Sequence, residues 1–373
     1  MNIIQISAYF PPSLGGQQQR IKDLSENLSK KGHSIEVFTS NIGCPKDKQI
    51  ISTKNLKINY LPAWEFAHTP IIPSLFWNLM KIPKDSIMHV HIAQPLVPEI
   101  VWLVSKLKRI PYICHIRTDT VASGNLGFLL PLYKSFFLSR VLKDATKIIS
   151  LNKDFYNLVI NKYRIIKTNV HIIPNATNFN IINSIKKKNV NFIKLLFVGR
   201  FTPEKNIDKI LIALTKINNL NGFNIQLNLI GEGFEKQKLI ELTETLKIGK
   251  SVKFNGRVEG KKLQEFYINS DILILPSSME GFSSTLLEAM ATGTAIIASN
   301  IPGTRCVIKN NYNGLLIDPS PEKIAEAIKK LIENPKLREK LARNGLKEIK
   351  KYSWDKIVEQ TEQVYKEVLN HKK

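Results

Sequence analysis

Two glutamates and two cations have the types and spacing from which chemistry could be built. Glu280 and Glu288 lie in Pro276-Ser-Ser-Met-Glu280-Gly-Phe282-Ser283-Ser284-Thr285-Leu-Leu-Glu288-Ala-Met-Ala-Thr-Gly293. The apolar run Asp271-Ile-Leu-Ile-Leu275 ahead of it reads as a buried strand. Thr285-x-x-Glu288 has the form of a capping box, which predicts a helix starting near Leu286 and closed by Gly293. The first N–H groups of a helix lack intrahelical acceptors, so Ser283, Ser284 and Thr285 would sit at an anion site. From spacing alone, Glu288 is equally a capping residue and Glu280 a solvated loop charge. Arg200 and Lys205 share a second loop, Gly199-Arg200-Phe-Thr-Pro-Glu-Lys205-Asn206. A forked guanidinium and a point-charge ammonium beside helix amides suit a diphosphate. Two surface cations in a lysine-rich chain would look the same.

Alternating strands and helices must position these groups. Asn2–Ser7 reads as a strand, followed by a loop with Gly15-Gly16, a helix from about Gln17, and a strand over 35–39. Glycine lets backbone approach a ligand at a helix start, which makes Gly15 and Gly16 candidates, although the fingerprint of nicotinamide enzymes is absent. Residues 40–85, with their prolines, read as irregular. A strand over 86–91 and a helix over 98–108 precede Pro111-Tyr-Ile-Cys-His115-Ile-Arg117-Thr-Asp119. His115 and Arg117 are two apart and would face the same side of a strand. The pattern restarts at Ile193 and runs through five strands. The reading is an α/β protein of two Rossmann-like parallel-sheet domains facing a cleft. The N-terminal domain spans 1–178, a linker 179–192, the C-terminal domain 193–352, and an amphipathic helix in 353–373 returns to the first domain.

The chain has 373 residues, 43% hydrophobic, with a net charge of +23. Basic residues are spread along the chain rather than blocked together, and no nucleic-acid module is recognisable, which argues against nucleic acid as partner. Three scattered cysteines, Cys44, Cys114 and Cys306, give no metal-ligand spacing and no disulfide framework, as expected of a cytoplasmic chain. The start of the chain has no signal-peptide pattern and no run reaches spanning length. Residues 126–143 are apolar, aromatic and basic. They read either as an interfacial helix on an anionic membrane or as a core helix with a basic edge.

The block from Glu280 to Gly293 resembles the nucleotide-sugar signature of the family GT4 retaining glycosyltransferases, and Gly199-Arg200…Lys205 resembles their Gly-Arg/Lys loop. Gly15-Gly16, Pro174-Asn175, Pro302-Gly303 and Asn313-Gly314 extend the likeness over nearly the whole chain. The resemblance implies the GT-B fold and transfer of a sugar from a nucleotide-diphosphate sugar to an acceptor hydroxyl, in glycan, glycolipid or cell-surface polysaccharide synthesis. It implies that Arg200 and Lys205 hold the pyrophosphate, Glu288 the ribose, and Glu280 the neighbourhood of the sugar. Phe282, Ser283, Ser284 and Thr285 would line the donor, and Val258 would meet the base. Gly16 would lie beside the donor and Gly15 on the acceptor side. No cofactor and no metal are expected, and the acceptor is a glycan or a lipid-linked molecule. Three positions depart from the pattern. Ser283 replaces a glycine, Cys306 stands where a glutamate is usual, and Arg117 occupies the place of the family's sugar-contacting histidine, with His115 two earlier. Either Arg117 or His115 would take that role. An epimerase, a phosphorylase and a non-catalytic sugar-nucleotide sensor on the same scaffold remain as alternatives.

Overall fold

A computed structural model describes residues 1–13, 16–44, 50–66, 69–117, 130–182, 192–217 and 223–370. The chain forms two compact units, Met1–Asn175 with Trp354–Lys373, and Ala176–Ser353. Of the expected linker, residues 183–191 lie outside the described residues, as does Gly15.

Unit 1 runs β1 (Asn2–Ser7), α1 (Gly16–Lys30), β2 (Ser34–Ser40), β3 (Ile50–Thr53), β4 (Leu56–Leu61), β5 (Trp64–Phe66), β6 (Thr69–Ile71) and α2 (Leu75–Lys81). It continues through β7 (Ile87–Ile92), α3 (Val97–Lys108), β8 (Tyr112–Ile116), α4 (Leu130–Tyr133), α5 (Ser139–Asp144), β9 (Lys147–Ser150), α6 (Lys153–Tyr163) and β10 (Val170–Ile172). Eight strands make one sheet in the order β10-β9-β8-β7-β1-β2-β4-β3. Every pairing is parallel except β3 with β4. Runs such as Ile3-Ile4-Gln5-Ile6 are buried throughout, as a strand covered on both faces requires.

Residues 40–85 are more ordered than the prolines suggested. Among the described residues, Pro62, Pro73 and Pro83 fall just outside β4 and α2, and Pro70 sits in the two-stranded sheet β5–β6. Proline is tolerated at such edges because no ladder or helix bond is lost there.

Unit 2 runs β11 (Phe192–Val198), α7 (Ile207–Ile217), β12 (Asn224–Ile230), α8 (Lys236–Thr245), β13 (Val252–Phe254), α9 (Gly260–Ile268) and β14 (Ile272–Leu275). Then come α10 (Ser284–Ala291), β15 (Ala295–Ser299), α11 (Pro302–Arg305), β16 (Leu315–Ile317), α12 (Pro321–Glu333) and α13 (Pro335–Glu348). Its sheet is parallel, in the order β13-β12-β11-β14-β15-β16. Strand order reverses between β11 and β14, because the chain leaves β11 for β12 on one side and later returns to the other. In open α/β sheets the crevice outside the strand carboxyl ends at that reversal is where ligands bind. In unit 1 the same reversal falls between β1 and β7.

The last helix, α14 (Trp354–Asn370), packs on unit 1 through Ile357, Val358, Val364, Tyr365 and Val368, a stripe at helical spacing. Its polar edge is tied down as well. Glu362 meets Lys31 at 3.2 Å and His33 at 2.5 Å, and Glu367 meets Lys147 at 3.0 Å and His171 at 3.2 Å.

Candidate functional site

In unit 2 the loops after β11 and β14 are stitched together. The Asn206 amide donates to the Pro276 carbonyl at 2.7 Å, and the Ser278 N–H donates to the Glu204 carbonyl at 2.8 Å. This juxtaposition brings Lys205 to Glu280, with Nζ 2.6 Å from Oε1 and both side chains largely buried. The Ser277 hydroxyl donates to the same oxygen at 2.9 Å. Glycines allow the approach. A Cβ at Gly231 (φ +140) would stand 1.8 Å from the Gly199 carbonyl oxygen, and one at Gly303 would stand 2.0 Å from that of Glu280. Gly303 therefore sets how closely α11 can press on the Glu280 loop.

Helix α10 begins two residues earlier than the capping-box spacing predicts. Ser283 is its N-cap, extended at φ −83 and ψ 113, and makes no side-chain cap bond. The proposed box does not form. Thr285 is already inside the helix, and the Glu288 carboxylate lies a turn further on, accepting the Tyr267 hydroxyl at 2.9 Å. The first-turn amides of Ser284, Thr285 and Leu286 have no intrahelical acceptor. Ser283 itself is buried. Gly293, at φ +63, follows the C-cap Thr292 as expected.

The remaining residues spread around this centre. Arg200 is exposed, its guanidinium 3.6 Å from Glu204. Burial works to raise the Glu204 carboxyl. The Thr202 hydroxyl, its own backbone amide, Arg200 and Lys205 together outweigh that and hold it below its usual value. Val258 and Phe282 are half-buried against the unit 2 core, and the Phe282 ring lies 6.1 Å from that of Tyr352. Arg257, beside Val258, pairs with Glu259 at the surface. Cys306 leans back on its own helix, its thiol 3.1 Å from the Gly303 carbonyl.

In unit 1, Gln5, His89, His91, His115 and Arg117 share one face of the sheet. Gln5 pairs with His89 across β1–β7, and His91 with His115 across β7–β8. All five are buried. Arg117 Nε donates to His91 Nδ1 at 3.2 Å, and its terminal nitrogen donates to the Asn175 side-chain oxygen at 2.9 Å. Burial, then the charge of Arg20, lowers the Arg117 pKa to about 9, so it stays a cation at neutral pH. Burial, then Arg117, lowers His89 to about 3, and burial first of all holds His91 and His115 well below the usual histidine value.

The three imidazoles bring ligating nitrogens within 4.8 Å of one another, so by type they could hold a metal ion. Their arrangement suits a different purpose. The His89 and His115 rings stack at 5.3 Å and 9°, the nitrogens bond to one another, and a guanidinium lies alongside with no carboxylate in the bonded set. The sequence reading named His115 and Arg117 but missed Gln5, His89, His91 and Tyr365. The spacing His89-x-His91 on a strand was the signal available. Gly16 opens α1, and a Cβ there would meet no atom within 4 Å.

Two family models match the chain. Glycosyltransferase Family 4 matches residues 14–180, and Glycosyl transferases group 1 matches residues 178–348. An uncharacterized glycosyltransferase of Methanocaldococcus jannaschii is 26% identical over 98% of this chain and 98% of its own. Among solved structures, sucrose-phosphate synthase from Thermosynechococcus elongatus superposes with a TM-score of 0.80 at 21% identity, covering 100% of both chains. Anabaena HepE in complex with UDP-glucose gives 0.73 at 15% identity, covering 98% of this chain and 99% of its own. At these identities the structures establish the fold, which is GT-B.

Proposed function

The chain belongs to the group 1, family 4 glycosyltransferases, and on that premise we propose a retaining enzyme that moves a hexosyl group from a nucleotide-diphosphate sugar to an acceptor hydroxyl. One observation carries the donor assignment. The buried Lys205–Glu280 pair and the uncapped start of α10 converge on the carboxyl ends of β11 and β14, where the strand order reverses.

Transfer needs a place for charge on the departing diphosphate. Lys205, the α10 amides and, from the rim, Arg200 supply fixed positive charge and donors for it. Glu280 holds Lys205 in place and lies where the sugar carbon gains positive character. Ser283, Ser284 and Thr285 line the phosphate and sugar, with Phe282 beside them. Glu288, oriented by Tyr267, takes the ribose hydroxyls, and Val258 borders the base. Unit 1 receives the acceptor. Anabaena HepE forms a complex with UDP-glucose, which supports a nucleotide sugar here.

The acceptor is lipid-linked, and unit 1 rests on an anionic membrane. The support is an exposed apolar group, Leu132, Phe136 and Phe137, next to the exposed Arg140 and Lys143. Lys134, in the same stretch, is buried. Among the described residues no helix is long and apolar enough to cross a membrane.

Glu280→Gln tests the reading. The carboxamide keeps the shape but loses the charge that steadies Lys205. Nucleoside diphosphate release from the sugar donor should fall by roughly 100-fold or more while the donor still binds. Donor binding without turnover in the unaltered protein would instead identify a sensor.

A further inference from the structure

The buried cluster in unit 1 has a direction. Arginine can only donate, so Arg117 Nε–H points at His91 Nδ1. His91 must then carry its proton on Nε2 and donate it to Oε1 of Gln5, 2.5 Å away. That fixes the Gln5 amide nitrogen towards Tyr365, whose hydroxyl oxygen accepts at 3.2 Å. Tyr365 in turn donates to His89 Nδ1 at 2.7 Å. The Gln5 nitrogen, at a marginal 3.4 Å from the same Nδ1, also can only donate and agrees with this assignment. His89 therefore carries its proton on Nε2 and donates to His115 Nδ1 at 3.2 Å. The final proton lies on His115 Nε2, a buried nitrogen with no hydrogen-bond partner among the described residues.

We propose that this one-way relay makes Tyr365, on the C-terminal helix α14, a positioning residue that fixes His115 as its Nε2–H tautomer. His115 thereby presents its unpaired Nε2 as a hydrogen-bond donor and not as a base. A chain of neutral imidazoles, amide and phenol could run in either direction with similar energy. The cation at one end removes that choice, because it cannot accept. Tyr365 is the link no strand of the sheet supplies, so α14 completes the network. The depressed histidine pKa values agree with three neutral rings at neutral pH. That a substrate oxygen takes up this donor rests on the transferase reading.

The test is a long-range proton–nitrogen correlation spectrum of the full chain with isotope-labelled histidine, at neutral pH and without nucleotide sugar. His89, His91 and His115 should each be neutral with the proton on Nε2. In Gln5→Glu the carboxylate accepts from both His91 and Tyr365. Tyr365 must then accept from His89, so His89 and His115 should move their protons to Nδ1 while His91 stays as it was. In Tyr365→Phe only the marginal 3.4 Å contact from the Gln5 nitrogen is left at His89 Nδ1, so the Nε2–H population of His89 and His115 should fall. A proton on Nδ1 of His115 in the unaltered protein, or an imidazolium there, would overturn the proposal. So would a His115 that keeps Nε2–H in Gln5→Glu, or one whose Nε2–H population is unchanged in Tyr365→Phe. If neither variant folds, the unaltered protein alone decides. The spectra need no donor, so their outcome is independent of any transferase assay.

Discussion

Adding one methyl group at Gly303 should cripple the site without touching any charged residue. The Cβ of Gly303→Ala would lie 2.0 Å from the Glu280 carbonyl oxygen, 2.5 Å from its carbon and 2.9 Å from the Glu280 Cβ, where real contacts essentially never fall below 3.0 Å. Backbone is on both sides, so no flexible side chain can swing away. The Glu280 loop and α11 must separate by about 1 Å, and misplacement of that size costs on the order of 100-fold in rate. The 2.6 Å contact of Glu280 with Lys205 would be lost with it. Overpacking of this kind also destabilises by about 1–3 kcal/mol, which leaves unit 2 folded if its stability is ordinary. The assay is turnover of the nucleotide sugar together with its dissociation constant, compared with Gly249→Ala, where a Cβ meets nothing within 4 Å. The control should stay within about 2-fold of the unaltered protein, as surface changes usually do. Turnover by Gly303→Ala close to that of the control would show that the position of Glu280 does not govern the chemistry.

Unit 1 should be acid-labile, and anionic lipid should hold the protein. His89, His91 and His115 have folded pKa values below the usual histidine value of about 6.5, with His89 at about 3. Below pH 6.5 the unfolded chain binds protons that the folded unit refuses, so their contribution is present above that pH and is lost as pH falls. His89 contributes about 1.4 kcal/mol per pH unit below pH 6, and His91 and His115 add in the same direction, visible as a falling urea midpoint that His89→Gln partly flattens. An unchanged midpoint would contradict the burial of three neutral rings. Vesicles of anionic phospholipid should retain the protein at low salt, and replacing Phe136 and Phe137 by serine should release it. Equal retention of the variant would remove the membrane reading.

Much of the architecture was legible because buried parallel strands are continuous apolar runs. Ile193–Val198 and Ala295–Ser299 announce themselves in this way. The stretch 40–85 was not, because short edge strands with prolines carry weak local signals and are fixed by their neighbours. The start of α10 was misplaced for a related reason. Thr285 and Glu288 satisfy the local rule for a cap, but Glu288 is claimed by Tyr267 from α9. The Lys205–Glu280 contact could be guessed only from two loops read together, since the residues are 75 positions apart. The relay through Tyr365 was out of reach. It joins Gln5 to a residue 360 positions away, and no periodicity on either element points to the other.

Binding of the donor diphosphate by Lys205 and Arg200 is the centre of the account, and thermal denaturation reads it most directly. UDP-, GDP- and ADP-sugars would be tested one at a time, with chelator present, on the unaltered protein, Lys205→Gln and Arg200→Ala. A ligand that binds only the folded state raises the melting temperature through linkage. A clear rise is expected with one nucleotide, lost in Lys205→Gln and reduced in Arg200→Ala. No rise with any of them, or an undiminished rise in Lys205→Gln, would contradict it.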